Sequence, residues 1–281
     1  MGVNGIIRLM NAFAVLLAVL LPLSQAAWDG VDRRIASSDP DTVLSRFVNY
    51  PAGADKDRFV LNPKFWAKGI DFSCVSPWNS AGGALRAGTL ISKRHIIFAK
   101  HFPLATGTRI VFVGEDGGVC PCYIEKTKAV DKCDIMIGLL NAEVTPNIHP
   151  AKILPSDYAK YLGDCKGLPV VTFNQKEKLL LTEASAMPTN AVPYRGFSSH
   201  APHDEYRARF REKIVVGDSG NPAFLLVANQ PILICCLFSG GAGAGPTPHT
   251  LKLEVQAAMD ELCPGYKLEE FDFKSLKGKL K

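Results

Sequence analysis

The chain lacks any concentrated run of basic residues. Its formal charge of +5 is spread along 281 residues. No stripe is present that would track a phosphate backbone, and no nucleic-acid partner is expected. Phosphate-loop chemistry is also missing. The Gly-rich stretches 114–118 and 240–245 are not followed by Lys-Ser or Lys-Thr at the required spacing. Cys120-Pro-Cys122 is too tight for a zinc knuckle, so no metal and no cofactor are expected there. Outside residues 12–21 no apolar run is long enough to suggest a membrane span. Helical periodicity is scarce as well. It is clear only where Leu251, Val255, Met259 and Leu262 recur every three or four residues, between the start signal Thr247-Pro248 and the stop signal Pro264-Gly265.

What the chain does have is turns and short apolar runs. It carries 24 Gly and 19 Pro within a composition that is 47% hydrophobic, ample for a sizeable core. Runs at 87–92, 95–99, 109–114, 122–130 and 135–140 form one group. Runs at 168–173, 178–182, 222–228 and 231–238 form a second. Their length and their Val, Ile, Phe and Tyr content predict antiparallel strands in two sheets or barrels, an all-β chain with one C-terminal helix. Residues 1–26 read as a secretory signal peptide. Arg8 supplies the positive end, 12–21 the apolar core, and Ser24-Gln25-Ala26 a cleavage point after Ala26. A secreted or periplasmic location follows, with no stable membrane association once that segment is removed. All eight cysteines lie beyond it, and an oxidising compartment favours disulfides among them. Cys235 and Cys236, adjacent in a strand, point to opposite faces. Residues 27–66 read as an N-terminal arm or a propeptide, and 266–281 as a charged, solvated tail.

Chemistry concentrates in three places. Gly217-Asp218-Ser219-Gly220 holds a hydroxyl between two glycines before an apolar run. By itself it is equally an ordinary polar loop or the setting of a nucleophile whose neighbouring N–H groups face an oxyanion. His101 is expected to end the second strand of the 88–102 stretch, where a ring can face a cleft. His95 begins the same strand and is expected to face solvent at the turn. Asp134 opens the apolar run 135–140, so its carboxylate is expected to be partly buried and in need of a partner such as an imidazole N–H. The stretch His200-Ala201-Pro202-His203-Asp204-Glu205 could be called a metal cluster, but its proline and loop setting favour a solvated surface loop, and no metal site is expected.

The order His101, Asp134, Ser219 resembles that of the chymotrypsin/trypsin-like serine proteases. Residues 88–102 are similar to that family's Gly-Thr-Leu-Ile…Ala-His segment. The strand after Asp134 is similar to its Asp-Ile-Ala-Leu-Leu, and 217–222 to its Gly-Asp-Ser-Gly-Gly-Pro. The likeness runs over about 68–265, and the protease domain would span 67–265. The resemblance implies two antiparallel Greek-key β-barrels with a C-terminal helix, and a secreted serine endopeptidase acting on polypeptide substrates. It also implies roles: Ser219 as nucleophile, His101 as general base and acid, and Asp134 as the carboxylate orienting the imidazole. The N–H groups of Gly217 and Ser219 would form the oxyanion hole, and Lys213, Ser239 and Gly240 would line the substrate pocket. A catalytically inactive protein of the same fold, acting as a binding module, is the alternative.

Several positions depart from that pattern. Lys100 separates Ala99 from His101, Phe102 stands where the family has cysteine, and Asn221 replaces the second glycine of the serine motif. Gly240 stands in place of tryptophan. Lys213 occupies the place of trypsin's pocket aspartate, so cleavage after Arg or Lys is not expected. No Ile-Val-Gly-Gly start is present, so no α-amino partner for Asp218 is visible.

Overall fold

A computed structural model describes residues 25–48, 58–77, 86–187, 196–237 and 247–276. The chain is mostly sheet with few helices, and antiparallel sheet is curled as a half-barrel. The first sheet holds β1 (Thr89–Leu90), β2 (His95–Ala99), β3 (Arg109–Val113), β4 (Val119–Ala129) and β5 (Ile135–Leu140), in the order β1-β2-β5-β4-β3. The second holds β6 (Lys152–Ile153), β7 (Pro169–Phe173), β8 (Leu179–Ala186), β9 (Ser198–His200), β10 (Pro222–Val227) and β11 (Gln230–Cys236), in the order β6-β11-β10-β7-β8-β9. All pairs are antiparallel except β6 with β11. Every run expected to be a strand overlaps one. The additional β6 and β9 are two and three residues long, too short to show a period.

Burial explains why these runs hold. All five residues of β2 and all six of β10 are buried on both faces, which demands continuous apolar sequence rather than alternation. One hydrophobic cluster takes in side chains from both sheets. The C-terminal helix forms at Lys252–Leu262 and packs Val255, Ala258 and Met259 inward, close to the expected face.

Residues 25–35 are helical (α1), a helix that mixed polarity concealed in the sequence. Ala27, Trp28, Val31 and Ile35 bury one side of it in the main core. A one-turn helix, α2 (Pro40–Val43), follows, capped by Asp39 with proline in its first turn. Farther on, the buried Arg46 guanidinium donates to the Val113 carbonyl at the end of β3 (2.8 Å), while its backbone N–H donates to the Glu177 carbonyl (2.9 Å). The described parts of the arm, 27–48 and 58–66, therefore pack on the body of the protein.

Two expectations are corrected. The tail 266–281 is not a solvated end over its described part: Leu268, Phe271, Phe273 and Leu276 are buried, and Glu270 bridges to Ile153 beside β6. Apolar residues spaced between the lysines do this, and the lysine count masked them. No disulfide joins the cysteines either. All eight cysteines are unpaired and seven are buried, scattered through the core as small apolar side chains. Burial pushes the Cys122, Cys165 and Cys236 thiols up to about 12. Among the described residues no helix is long and apolar enough to cross a membrane, and the proposed leader lies almost wholly outside them.

Candidate active site

Strand register brings the first two residues together. β2 runs antiparallel to β5 with Ala99 opposite Ile135. The two residues after Ala99 therefore meet the residue before Ile135. Lys100 N–H donates to the Asp134 carbonyl (3.1 Å), so this extra residue is absorbed in the turn. His101 is then gripped twice by one carboxylate. Its backbone N–H donates to Asp134 Oδ1 (2.9 Å), and its Nδ1 lies 2.5 Å from Asp134 Oδ2. With both oxygens engaged, Nδ1 is the protonated nitrogen and Nε2 carries the lone pair. The Asp134 side chain is 13% exposed and that of His101 44%, so the carboxylate sits beneath a ring that faces outward.

The second sheet supplies the hydroxyl. Ser219 lies in the turn before β10, and its Oγ is 2.9 Å from His101 Nε2. Gly220, at φ +89°, lets this turn reach the first sheet. A Cβ there would stand 3.1 Å from the Ala87 carbonyl oxygen and 3.6 Å from the Ala99 nitrogen. Behind the turn, Gly220 N–H donates to the Leu237 carbonyl (2.7 Å), and Leu237 N–H donates back to the Asn221 carbonyl (2.8 Å). These bonds tie the turn to the end of β11.

No family model matches the chain, and no curated protein matches it. What the site can do therefore rests on its geometry.

Three N–H groups of the turn are taken. Asp218 N–H donates to the Val215 carbonyl, Gly220 N–H to Leu237, and Asn221 N–H to the Asp218 carbonyl. Among the described residues the N–H groups of Gly217 and Ser219 donate to no acceptor. Gly217 adopts φ +103°, and Gln175 Nε2 donates to the Val216 carbonyl (3.4 Å). The N–H of a trans peptide points opposite its carbonyl, so the Gly217 N–H is turned away from Gln175. A Cβ on Gly217 would collide with the Gln175 side chain at 2.9 Å.

Asp218 is buried, 1% exposed, and its oxygens are satisfied by backbone: Oδ1 accepts from Gln175 N–H (2.9 Å) and Oδ2 from Val215 N–H (2.7 Å). These partners were invisible in the sequence, because any residue carries an N–H and only the fold aims it. Cys236 lies close enough for the Asp134 charge to act on it. Burial first and that charge second keep its thiol protonated, so it is no rival nucleophile.

His95, expected at a solvated turn, is fully buried. The turn 92–94 folds over it, with Ser92 Oγ 2.8 Å from His95 Nδ1 and the Tyr266 ring packed edge-on at 5.3 Å. Burial lowers its pKa to about 4; the Met259 carbonyl and Asp260 act in the opposite sense, and Arg94 adds to the lowering. Lys213 is exposed, and no hydrogen bond or ion pair joins it to His101, Asp134 or Ser219. Ser239 and Gly240 lie outside the described residues.

Proposed function

We propose that the protein is a serine-type endopeptidase working through an acyl-enzyme, with its two sheets forming two Greek-key barrels and the active site between them. One observation carries this reading: a single imidazole is hydrogen-bonded to a carboxylate on one nitrogen and to a serine hydroxyl on the other, at 2.5 and 2.9 Å. That is the relay an unactivated hydroxyl needs in order to become a nucleophile near neutral pH.

The steps follow from the named atoms. Ser219 Oγ attacks the scissile carbonyl carbon as its proton passes to His101 Nε2. Asp134 holds the imidazolium so formed without taking the proton itself. The new oxyanion accepts from the Gly217 and Ser219 N–H groups. As the C–N bond breaks, Nε2 returns its proton to the leaving amine, leaving the acyl group on Ser219. Water then attacks the ester, again losing a proton to Nε2, which restores it to Ser219. Val216, 95% exposed beside Gly217, offers an apolar surface to a substrate chain, whereas Lys213 offers no acidic pocket for a basic side chain. The apolar segment 12–21 supports export, and the mature chain would begin at Ala27.

A fluorophosphonate probe tests the proposal. Folded wild type should be labelled on Ser219 and Ser219→Ala should not, and purified wild type should cleave peptide libraries. Folded wild type that resists the probe would favour the binding-module reading.

A further inference from the structure

Away from Ser219, the edge of the second sheet gathers three metal-ligating side chains. β8 and β9 are antiparallel with Glu183 directly opposite His200, so the two side chains project from the same face as cross-strand neighbours. His203 follows in the turn that leads, through Asp204 as N-cap, into α3 (Glu205–Ala208). One ligand atom from each of Glu183, His200 and His203 lies within 4.8 Å of the others. We propose that these three residues form a binding site for a divalent transition-metal ion of the zinc type.

Details of the cluster suit a metal better than a simple ion pair. Both Glu183 oxygens face His203: Oε1 lies 3.0 Å from its Nδ1, and Oε2 accepts its backbone N–H at 3.3 Å. The carboxylate is already aimed, and its side chain is only 14% exposed. His200 Nδ1 donates to the Ala201 carbonyl (2.7 Å). This is the outer hydrogen bond that fixes a ligating histidine's tautomer and leaves Nε2 its lone pair. The rings of His200 and His203 meet edge to face with centroids 4.8 Å apart. Arg207, the nearby cation that would otherwise compete for Glu183, is occupied by both oxygens of Asp32, at 2.8 and 2.6 Å.

Two imidazoles and one carboxylate are a ligand set that zinc accepts, with bonds of about 2.0–2.2 Å and a fourth position left to water. The ligands must draw together from their present spacing. The His203 side chain, 79% exposed and held on Glu183 through Nδ1, has open solvent on its other side in which to adjust. Bound metal would tie the 201–203 turn to β8. Through the Arg207–Asp32 pair it would also brace α1.

The experiment uses the whole chain and metal alone. Titration of purified protein with Zn2+ should show one equivalent bound and a rise in melting temperature. His203→Ala and Glu183→Gln should each weaken binding ~10-fold or more. Metal-free melting of His203→Ala, at an exposed position, should match wild type. Co2+ should give the absorption of a low-symmetry nitrogen–oxygen site with no thiolate charge-transfer band, which separates this cluster from the partly exposed Cys263. Ser219→Ala should bind as wild type does, so the outcome is independent of the proposed hydrolase. Absence of stoichiometric binding, unchanged binding in both variants, or a thiolate band would overturn the proposal.

Discussion

The start of β2 and the turn just beyond its end each hold a histidine hydrogen-bonded to a serine, yet the two have little else in common. At the start, His95 meets Ser92 at 2.8 Å with both groups buried. Beyond the far end, His101 meets Ser219 at 2.9 Å with its ring 44% exposed. The difference lies on the other ring nitrogen and in the solvent. His101 rests on a carboxylate that fixes its ring, and it faces outward, so a substrate can arrive. His95 has no carboxylate in hydrogen-bond contact and sits in the core, so gaining a proton is penalised. A serine–histidine contact is therefore not a site in itself. Charge support and access make it one.

Exchanging the roles of the two histidines is the severest test. Ser219→Ala or His101→Ala should remove probe labelling, with a loss of turnover on the order of 10⁶-fold. His95→Ala should leave the folded fraction fully labelled. Labelling lost in folded His95→Ala, or kept in His101→Ala, would break the contrast. Asp134→Asn, which keeps the shape but not the charge, should lower turnover about 10⁴-fold while melting changes little. Gly217→Ala should cost roughly 10²-fold in acylation rate, because strain and the Gln175 contact would rotate the neighbouring N–H.

The buried end should report in stability rather than rate. A folded pKa of about 4 against an unfolded value of 6.5 means that only the unfolded chain takes up this proton between those values. The cost is absent above pH 6.5, grows as pH falls toward 4, and reaches up to ~3 kcal/mol. Glu177 pulls the other way. Burial first, with Arg46 opposing, raises its carboxyl from 4.5 to about 8, so its contribution is present below pH 4.5 and is lost as pH rises toward 8. Urea melts across pH should show His95→Gln flattening the acid limb and Glu177→Gln the alkaline one. A wild-type acid limb retained in His95→Gln would refute the assignment. The smallest effect is expected from Lys213→Ala, within ~0.5 kcal/mol in stability and with little change in labelling rate.

Much of this was legible because strands announce themselves by two-sided burial, and the three residues of the candidate site sit where strands begin or end. His101, Asp134 and Ser219 could be picked out one by one, and pairing of β2 with β5 does the rest. What escaped were features set by register and by backbone. Glu183 becomes a neighbour of His200 only once β8 and β9 are aligned. Asp218 finds its partners in N–H groups that carry no signature. The burial of His95 depends on Tyr266 and the C-terminal helix, far away in sequence. The N-terminal helix was lost in mixed polarity beside the apolar run 12–21.

The Asp218 carboxylate has a further consequence. Held by the N–H groups of Val215 and Gln175, it keeps the serine turn in shape with no freshly cut chain end. On the proposed reading the catalyst would be armed as soon as it folds. Restraint would then come from outside the chain: from where the protein is delivered, from an inhibitor seated over His101, or from how rarely a suitable peptide reaches Val216.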